Sequence, residues 1–200
     1  MQSTYNKIIS RIYGHGRGWT FSKKDFSDLG SRGAIDIALH RLNNAKIIRR
    51  IARGLYDYPI YSELLKQQLS PDLNQIAKAL SRKYGWTICP DGETALNLLG
   101  LSTQVPARIT YLSNGATKQI QIGNQRIYFK NTNLKETQLK DDKSTLIVQA
   151  LKALGKERID DKIISSIKKQ LTQEDKKRTL KNTKYITDWI YEAILKICNG

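Results

Sequence analysis

Apolar residues recur at helical spacing from the start of the chain, where Tyr5, Ile8, Ile9 and Ile12 follow a Ser3 or Thr4 cap and Gly14 offers a stop. The spacing predicts a first helix. The next stretch, "GHGRGWTF", is punctuated by glycine and reads as extended. In "SKKDFSDLG" Ser22 caps, Asp25 stands three residues on, Phe26 and Leu29 face inward, and Gly30 ends a short second helix. A third follows almost at once. In "SRGAIDIALHRLNNAK" Ser31 caps, and Ile35, Ala38, Leu39 and Leu42 form the i, i+3, i+4, i+7 stripe that buries one helix face. Arg32, Asp36, His40 and Asn43 lie on the opposite face, with Arg41 at its edge.

The period then changes. "KIIRRIARGLYDYP", Lys46 to Pro59, reads as two short extended segments joined around Ala52, Arg53 and Gly54. Ile48 and Ile51 stand three apart, so strict alternation fails and the strand must twist or bulge between them. The isoleucines and Tyr56 would seat this hairpin on the helices, Gly54 would supply the bend, and Arg49, Arg50 and Arg53 would point to phosphates or the minor groove. Three helices followed by a basic hairpin is the order of a winged helix-turn-helix, whose third helix enters the major groove.

"YDYPIYSELLKQQLSP" offers a boundary, after which Ser70 caps, Pro71 occupies the first turn, and Leu73, Ile76, Ala77, Leu80 and Tyr84 line another helix. A strand at "GWTICPDG", a short helix at "ETALNLLG" and three strands in "ARITYLSNGATKQIQIGNQRIYFKNT" follow, with hairpin signals at Asn114–Gly115 and Gly123–Asn124. From Ser144 the pattern is helical, with stripes at Ile147, Ala150, Leu151 and Leu154, at Ile163, Ile164, Ile167 and Leu171, and at Ile186, Trp189, Ile190, Ala193, Ile194 and Ile197. Thr172 with Asp175 makes a further cap. The expected fold is α+β: a winged helix-turn-helix DNA-binding domain over residues 1–60, then a mixed α/β domain with a C-terminal helical portion over 61–200.

Charge adds a partner. The chain of 200 residues carries a formal net charge of +16, which suits a polyanion. Residues 1–60 hold eleven Lys and Arg, seven of them Arg, against four Asp and no Glu. The C-terminal third is basic through lysine interspersed with acids, the pattern of a solvated helix surface, whereas arginine suits bidentate phosphate and guanine contacts. The nucleic-acid signal is therefore N-terminal. The only cysteines, Cys89 and Cys198, are far apart in the sequence, so neither a disulfide framework nor a zinc site is expected. No apolar run reads as a signal peptide or membrane span, and a cytoplasmic protein with no membrane partner is expected.

Catalytic motifs fail one at a time. There is no G-x-x-x-x-G-K-[ST], G-x-S-x-G or H-E-x-x-H, and the two histidines, His15 and His40, both fall in the proposed DNA-binding part. Asp141 with Asp142, and Asp160 with Asp161, sit where helices start and read as caps. Asp91, Glu93 and Tyr111 are the only candidates for an enzyme site, and a non-enzyme without metal or cofactor is expected. Arg17 in "GHGRG" reads either as a phosphate contact or as part of a connector. Taken alone, Arg32, His40 and Arg41 would be a solvated face. The arginine-rich hairpin that follows at once favours DNA contact, with Ser31, Arg32, Asp36, His40, Arg41, Arg49, Arg50 and Arg53 as its residues.

Two segments carry a resemblance. "SRGAIDIALHRLNNAKIIRRIARGLYDYP" contains Ile48, Arg50, Ile51, Arg53, Gly54, Leu55 and Tyr56, and "DGETALNLLGLSTQVP" contains Ala95, Leu96, Asn97, Leu99, Gly100, Leu101, Gln104 and Pro106. In this order they resemble the AbiEi-type antitoxins, transcriptional regulators of the AbiE (type IV) toxin-antitoxin systems. The resemblance covers roughly the first 130 residues well and the helical tail loosely. It implies a winged helix that binds inverted repeats in duplex DNA at its own promoter, and a C-terminal domain that antagonises a nucleotidyltransferase toxin without a stable complex being required. An RNA-binding or ribosome-associated winged-helix module is the alternative reading, since the lysine-rich tail would suit RNA.

Overall fold

Ser3 starts the first helix as a cap, its hydroxyl accepting the Asn6 N–H, and α1 runs Thr4–His15. The computed structural model describes residues 3–102, 108–133 and 139–199. The chain divides into two compact units, one running to Trp86 and the other holding nearly all of the rest. Both mix helices and sheet, so the fold is α+β. No helix among the described residues is long and apolar enough to cross a membrane.

In the first unit α1 is followed by β1 (Thr20–Phe21), a 3-10 turn (Lys23–Phe26), α2 (Arg32–Asn44), β2 (Arg49–Ala52), β3 (Leu55–Asp57), the short pair β4 (Tyr61–Ser62) and β5 (Gln67–Gln68), and α3 (Leu73–Tyr84). The expected second helix closes as a single 3-10 turn, with the Ser22 and Asp25 capping box in place. Its one buried side chain, Phe26, joins Ile8, Ile12, Phe21, Ile35, Ala38, Leu39, Leu42 and Ile48 in one core. Burying each large member contributes about 1.5 to 3 kcal/mol, which explains why the stripes predicted for α1 and α2 decide their orientation.

The hairpin carries the irregularity its isoleucines required. Arg50 pairs with Tyr56 but Ala52 with Leu55, so the ladder shifts by one residue at Ile51. Gly54, at φ 68°, makes the turn in a conformation that favours glycine. The end of the stretch read as extended forms β1, which pairs antiparallel with β3 and completes a sheet of order β1, β3, β2.

The boundary expected at residue 60 falls inside this unit. Asp72, not Ser70, caps α3 by accepting the Asn74 N–H at 2.8 Å. Arg82 of α3 then binds the Asp25 carboxylate and donates to the Thr20 carbonyl at 2.8 Å, while Lys83 donates to the Arg53 carbonyl at 3.2 Å. Pro71 and its neighbours mark a new element rather than a new domain.

The second unit holds β6 (Ile88–Pro90), α4 (Gly92–Leu98), β7 (Arg108–Ser113), β8 (Lys118–Ile122), β9 (Gln125–Asn131), α5 (Asp142–Leu154), α6 (Asp161–Lys169), α7 (Gln173–Asn182) and α8 (Asp188–Asn199). Ala95, Leu99, Ile147, Ala150, Leu151, Ile167, Ile190, Ile194 and Ile197 form its helical core. The hairpin expected at Asn114–Gly115 does not form, because the sheet order is β6, β7, β9, β8 and β7 runs parallel to β9. Asn114 instead accepts the Thr87 N–H at 2.8 Å, and the Asn131 amide donates to the Gly115 carbonyl at 2.7 Å. Those side-chain bonds hold a crossover, not a tight turn.

Candidate nucleic-acid interface

The local sequence of α2 fixes which groups it offers to solvent. Ser31 is spent on the fold, its hydroxyl accepting the Ala34 N–H at 3.3 Å as the cap. With Ile35, Ala38, Leu39 and Leu42 turned inward, Arg32, Asp36, His40 and Arg41 are all exposed. Asp36 is paired with Lys23 at 3.3 Å through both carboxylate oxygens, so the acid on this face is offset. The Asn44 amide nitrogen meets His40 Nε2 at 3.0 Å.

The helix and the hairpin are tied together. Asn43 of α2, partly buried beside Leu42, accepts the Arg50 backbone N–H at 3.1 Å, which sets β2 beside the last turn of the helix and leaves the Arg50 side chain exposed. Arg53 is exposed at the turn, which Lys83 holds through the Arg53 carbonyl. Lys83 is a cation at the hairpin that sequence reasoning missed, because it lies thirty residues downstream.

The seven arginines of the first 60 residues fall into two sets. Arg49 belongs to the fold: it pairs with Asp57 through two bonds of 3.1 and 2.6 Å and donates to the Leu69 carbonyl at 3.0 Å. Asp57 has a side chain only 3% exposed, so Arg49 is its counter-charge rather than a free phosphate contact. Arg17 donates to the Pro59 carbonyl at 2.8 Å and lies 4.6 Å over the Tyr58 ring, the geometry of the connector reading. Arg11 grips Asp28 through two bonds of 2.7 Å, and its guanidinium holds that carboxyl down at about 2. Arg32, Arg41, Arg50 and Arg53 make no side-chain hydrogen bond or ion pair to the described residues.

Two features of α2 run against its own stability. Arg32 is a cation in the first turn, where the helix dipole disfavours positive charge, and no acid accompanies it there. Gly33, the second residue of the helix, has the lowest helix propensity of any residue but proline. Neither cost is repaid by a contact within the fold.

The enzyme candidates are placed as well. Asp91 caps α4 by accepting the Thr94 N–H at 2.9 Å, Glu93 lies in the first turn of that helix, and Tyr111 is buried. Asp141 and Asp160 likewise accept the Ser144 and Ile163 N–H groups at 2.8 Å, as their positions at helix starts suggested.

Comparison with known families decides the chain's kinship. Residues 7–179 match the family described as DUF6088, a family of unknown function. The chain belongs to that family. The crystal structure of the RV2827C protein from Mycobacterium tuberculosis is similar at a TM-score of 0.44 and 12% identity, over 100% of this chain and 78% of that one. No curated protein matches the chain.

Proposed function

We propose that this DUF6088 chain is a sequence-selective duplex-DNA-binding protein, with α2 as the helix that enters the major groove and the β2–β3 turn as a wing along the adjacent backbone. The observation that carries the reading is the division of the arginines. Three are consumed by the fold, while Arg32, Arg41, Arg50 and Arg53 stay open on α2 and the hairpin bonded to it. Element order supports a winged helix-turn-helix, since β1 lies between α1 and the 3-10 turn and pairs with the hairpin strand β3.

The resemblance to AbiEi-type antitoxins extends the proposal. On that reading the protein represses its own promoter at inverted repeats and antagonises a nucleotidyltransferase toxin. The second segment of the resemblance is a packing segment where it is described, with Ala95 and Leu99 in the helical core, while its Gln104 and Pro106 lie outside the described residues. Co-expression tests the antitoxin part: the chain should rescue growth of cells making an AbiE-type nucleotidyltransferase toxin from a neighbouring gene, and lack of rescue would remove that part alone.

Fluorescence anisotropy of the full chain tests DNA binding, with duplex from upstream of its gene set against a shuffled duplex over a salt series. The native duplex should bind more tightly at every salt concentration. Weak, equal binding that collapses with salt would leave only a basic protein. One observation favours the RNA alternative: Arg108 lies 5.5 Å over Tyr128 on the β7–β9 pair and in register with exposed Arg126, and exposed Lys130 stands two residues beyond Tyr128 on β9. Cations around an aromatic ring on a sheet suit unstacked bases, so single-stranded RNA belongs in the same titration.

A further inference from the structure

α2 presents an apolar side chain where its fold has no use for one. Ile37 is 57% exposed, while Ile35, Ala38, Leu39 and Leu42 on the same helix are at most 3% exposed. At 100° per residue Ile37 lies opposite that buried stripe, between Gly33 one turn earlier and His40 and Asn44 one and two turns later. The surrounding exposed groups are polar or charged: Arg32, Asp36, His40, Arg41 and Asn44.

Gly33 is the second, independent observation. A Cβ at this position would meet nothing within 4 Å, and its backbone is not in the left-handed region. The helix therefore tolerates any small residue there, yet carries the one that weakens it. A glycine that neither a turn nor a packed neighbour requires leaves room for something outside the chain to approach the helix closely. The same approach would cover Ile37.

A base edge meets both conditions. In the major groove the one apolar group a base pair offers is the thymine methyl, and aliphatic side chains recognise it by contact. The open arginines around the patch match the phosphates that flank such a groove. We infer that Ile37 reads a thymine methyl in the bound duplex and that Gly33 lets the α2 backbone come close enough for it to do so. The inference rests on the DNA-binding reading above and assigns a sequence-reading role to two residues that charge alone does not find.

The test uses the full chain and its upstream duplex in two forms, one natural and one with every thymine replaced by uracil, which removes the methyls and leaves the pairing. Wild type should bind the uracil duplex about fourfold more weakly for each methyl read, the equivalent of one buried methyl group. Ile37→Ala should lose a similar factor on the natural duplex and be indifferent to the uracil exchange. Gly33→Ala should leave the melting temperature unchanged or slightly raised while lowering affinity, a split that a merely structural glycine does not give. Equal uracil sensitivity in wild type and Ile37→Ala would overturn the inference and leave DNA binding standing. Failure of wild type to prefer its upstream duplex over a shuffled one would overturn the DNA reading and this inference with it.

Discussion

α2 and α7 are both basic, solvent-facing helices, and they handle charge in opposite ways. α7 opens with Thr172 and Asp175 in a capping box, places Glu174 and Asp175 in its first turn and ends with Lys181. Its Arg178 contacts Asp175 at 3.0 Å, and Asp175 also receives Lys143 at 3.1 Å. Each choice agrees with the helix dipole and with a neighbour. α2 opens with Arg32 and Gly33 and no acid, and leaves Arg32 and Arg41 without partners among the described residues. Local rules kept throughout mark a segment that serves the fold, and rules broken without repayment mark one that serves something else.

Arg49 gives the largest expected effect on the fold side of that contrast. Arg49→Ala strands the nearly buried Asp57 carboxylate and should destabilise the protein by about 3 kcal/mol in urea denaturation. At a temperature where the variant stays folded, its DNA affinity should change far less than that of Arg50→Ala. A stable Arg49→Ala that loses DNA binding would show that the partnered and open arginines have been sorted wrongly.

Arg32 is the counterpart on α2. Arg32→Ala should leave stability unchanged or slightly raised, since a cation leaves the positive end of the helix. Its affinity for the upstream duplex should fall by about 1 to 3 kcal/mol, with a smaller fall on random duplex, if the side chain reads a guanine edge. Equal losses on both duplexes would reassign it to phosphate. Arg50→Ala and Arg53→Ala should weaken all sequences alike and each lower the slope of log affinity against log salt by about one. A slope that stays put would take the hairpin off the backbone.

Much of this contrast was legible in the sequence. The stripe Ile35, Ala38, Leu39 and Leu42 fixes which way α2 faces, and the three-residue spacing of Ile48 and Ile51 announces the bulge seen between Arg50 and Ala52. The pairing of Arg49 with Asp57 was not read from the sequence because the partner lies across the ladder. Counting outward from the Arg53–Gly54 turn and allowing one extra residue for the bulge brings Arg49 opposite Asp57, the register observed. That the extended stretch ends in a sheet strand stayed hidden because two residues, Thr20 and Phe21, are too few to show alternation. The Asn114–Gly115 signal misled because a tight-turn dipeptide reports local backbone preference, whereas β9 inserts beside β7 through pairing that no local signal encodes.

Acid denaturation gives the smallest effect and sharpens the α7 side. The Thr172 backbone N–H, then its hydroxyl, then the Lys143 ammonium hold the Asp175 carboxyl below the ordinary carboxylate range. A carboxyl whose pKa is lowered by folding stabilises the protein above its unfolded pKa of about 4 and loses that contribution as pH falls through the folded value. The melting temperature of wild type should therefore exceed that of Asp175→Asn by a constant margin above about pH 4, and the margin should shrink below it as wild type takes up the proton. Both proteins should bind the upstream duplex equally at neutral pH, because this carboxylate works for its own helix. A margin independent of pH would mean that Asp175 acts through its shape rather than its charge, and a loss of DNA binding in Asp175→Asn would erase the contrast between the two helices.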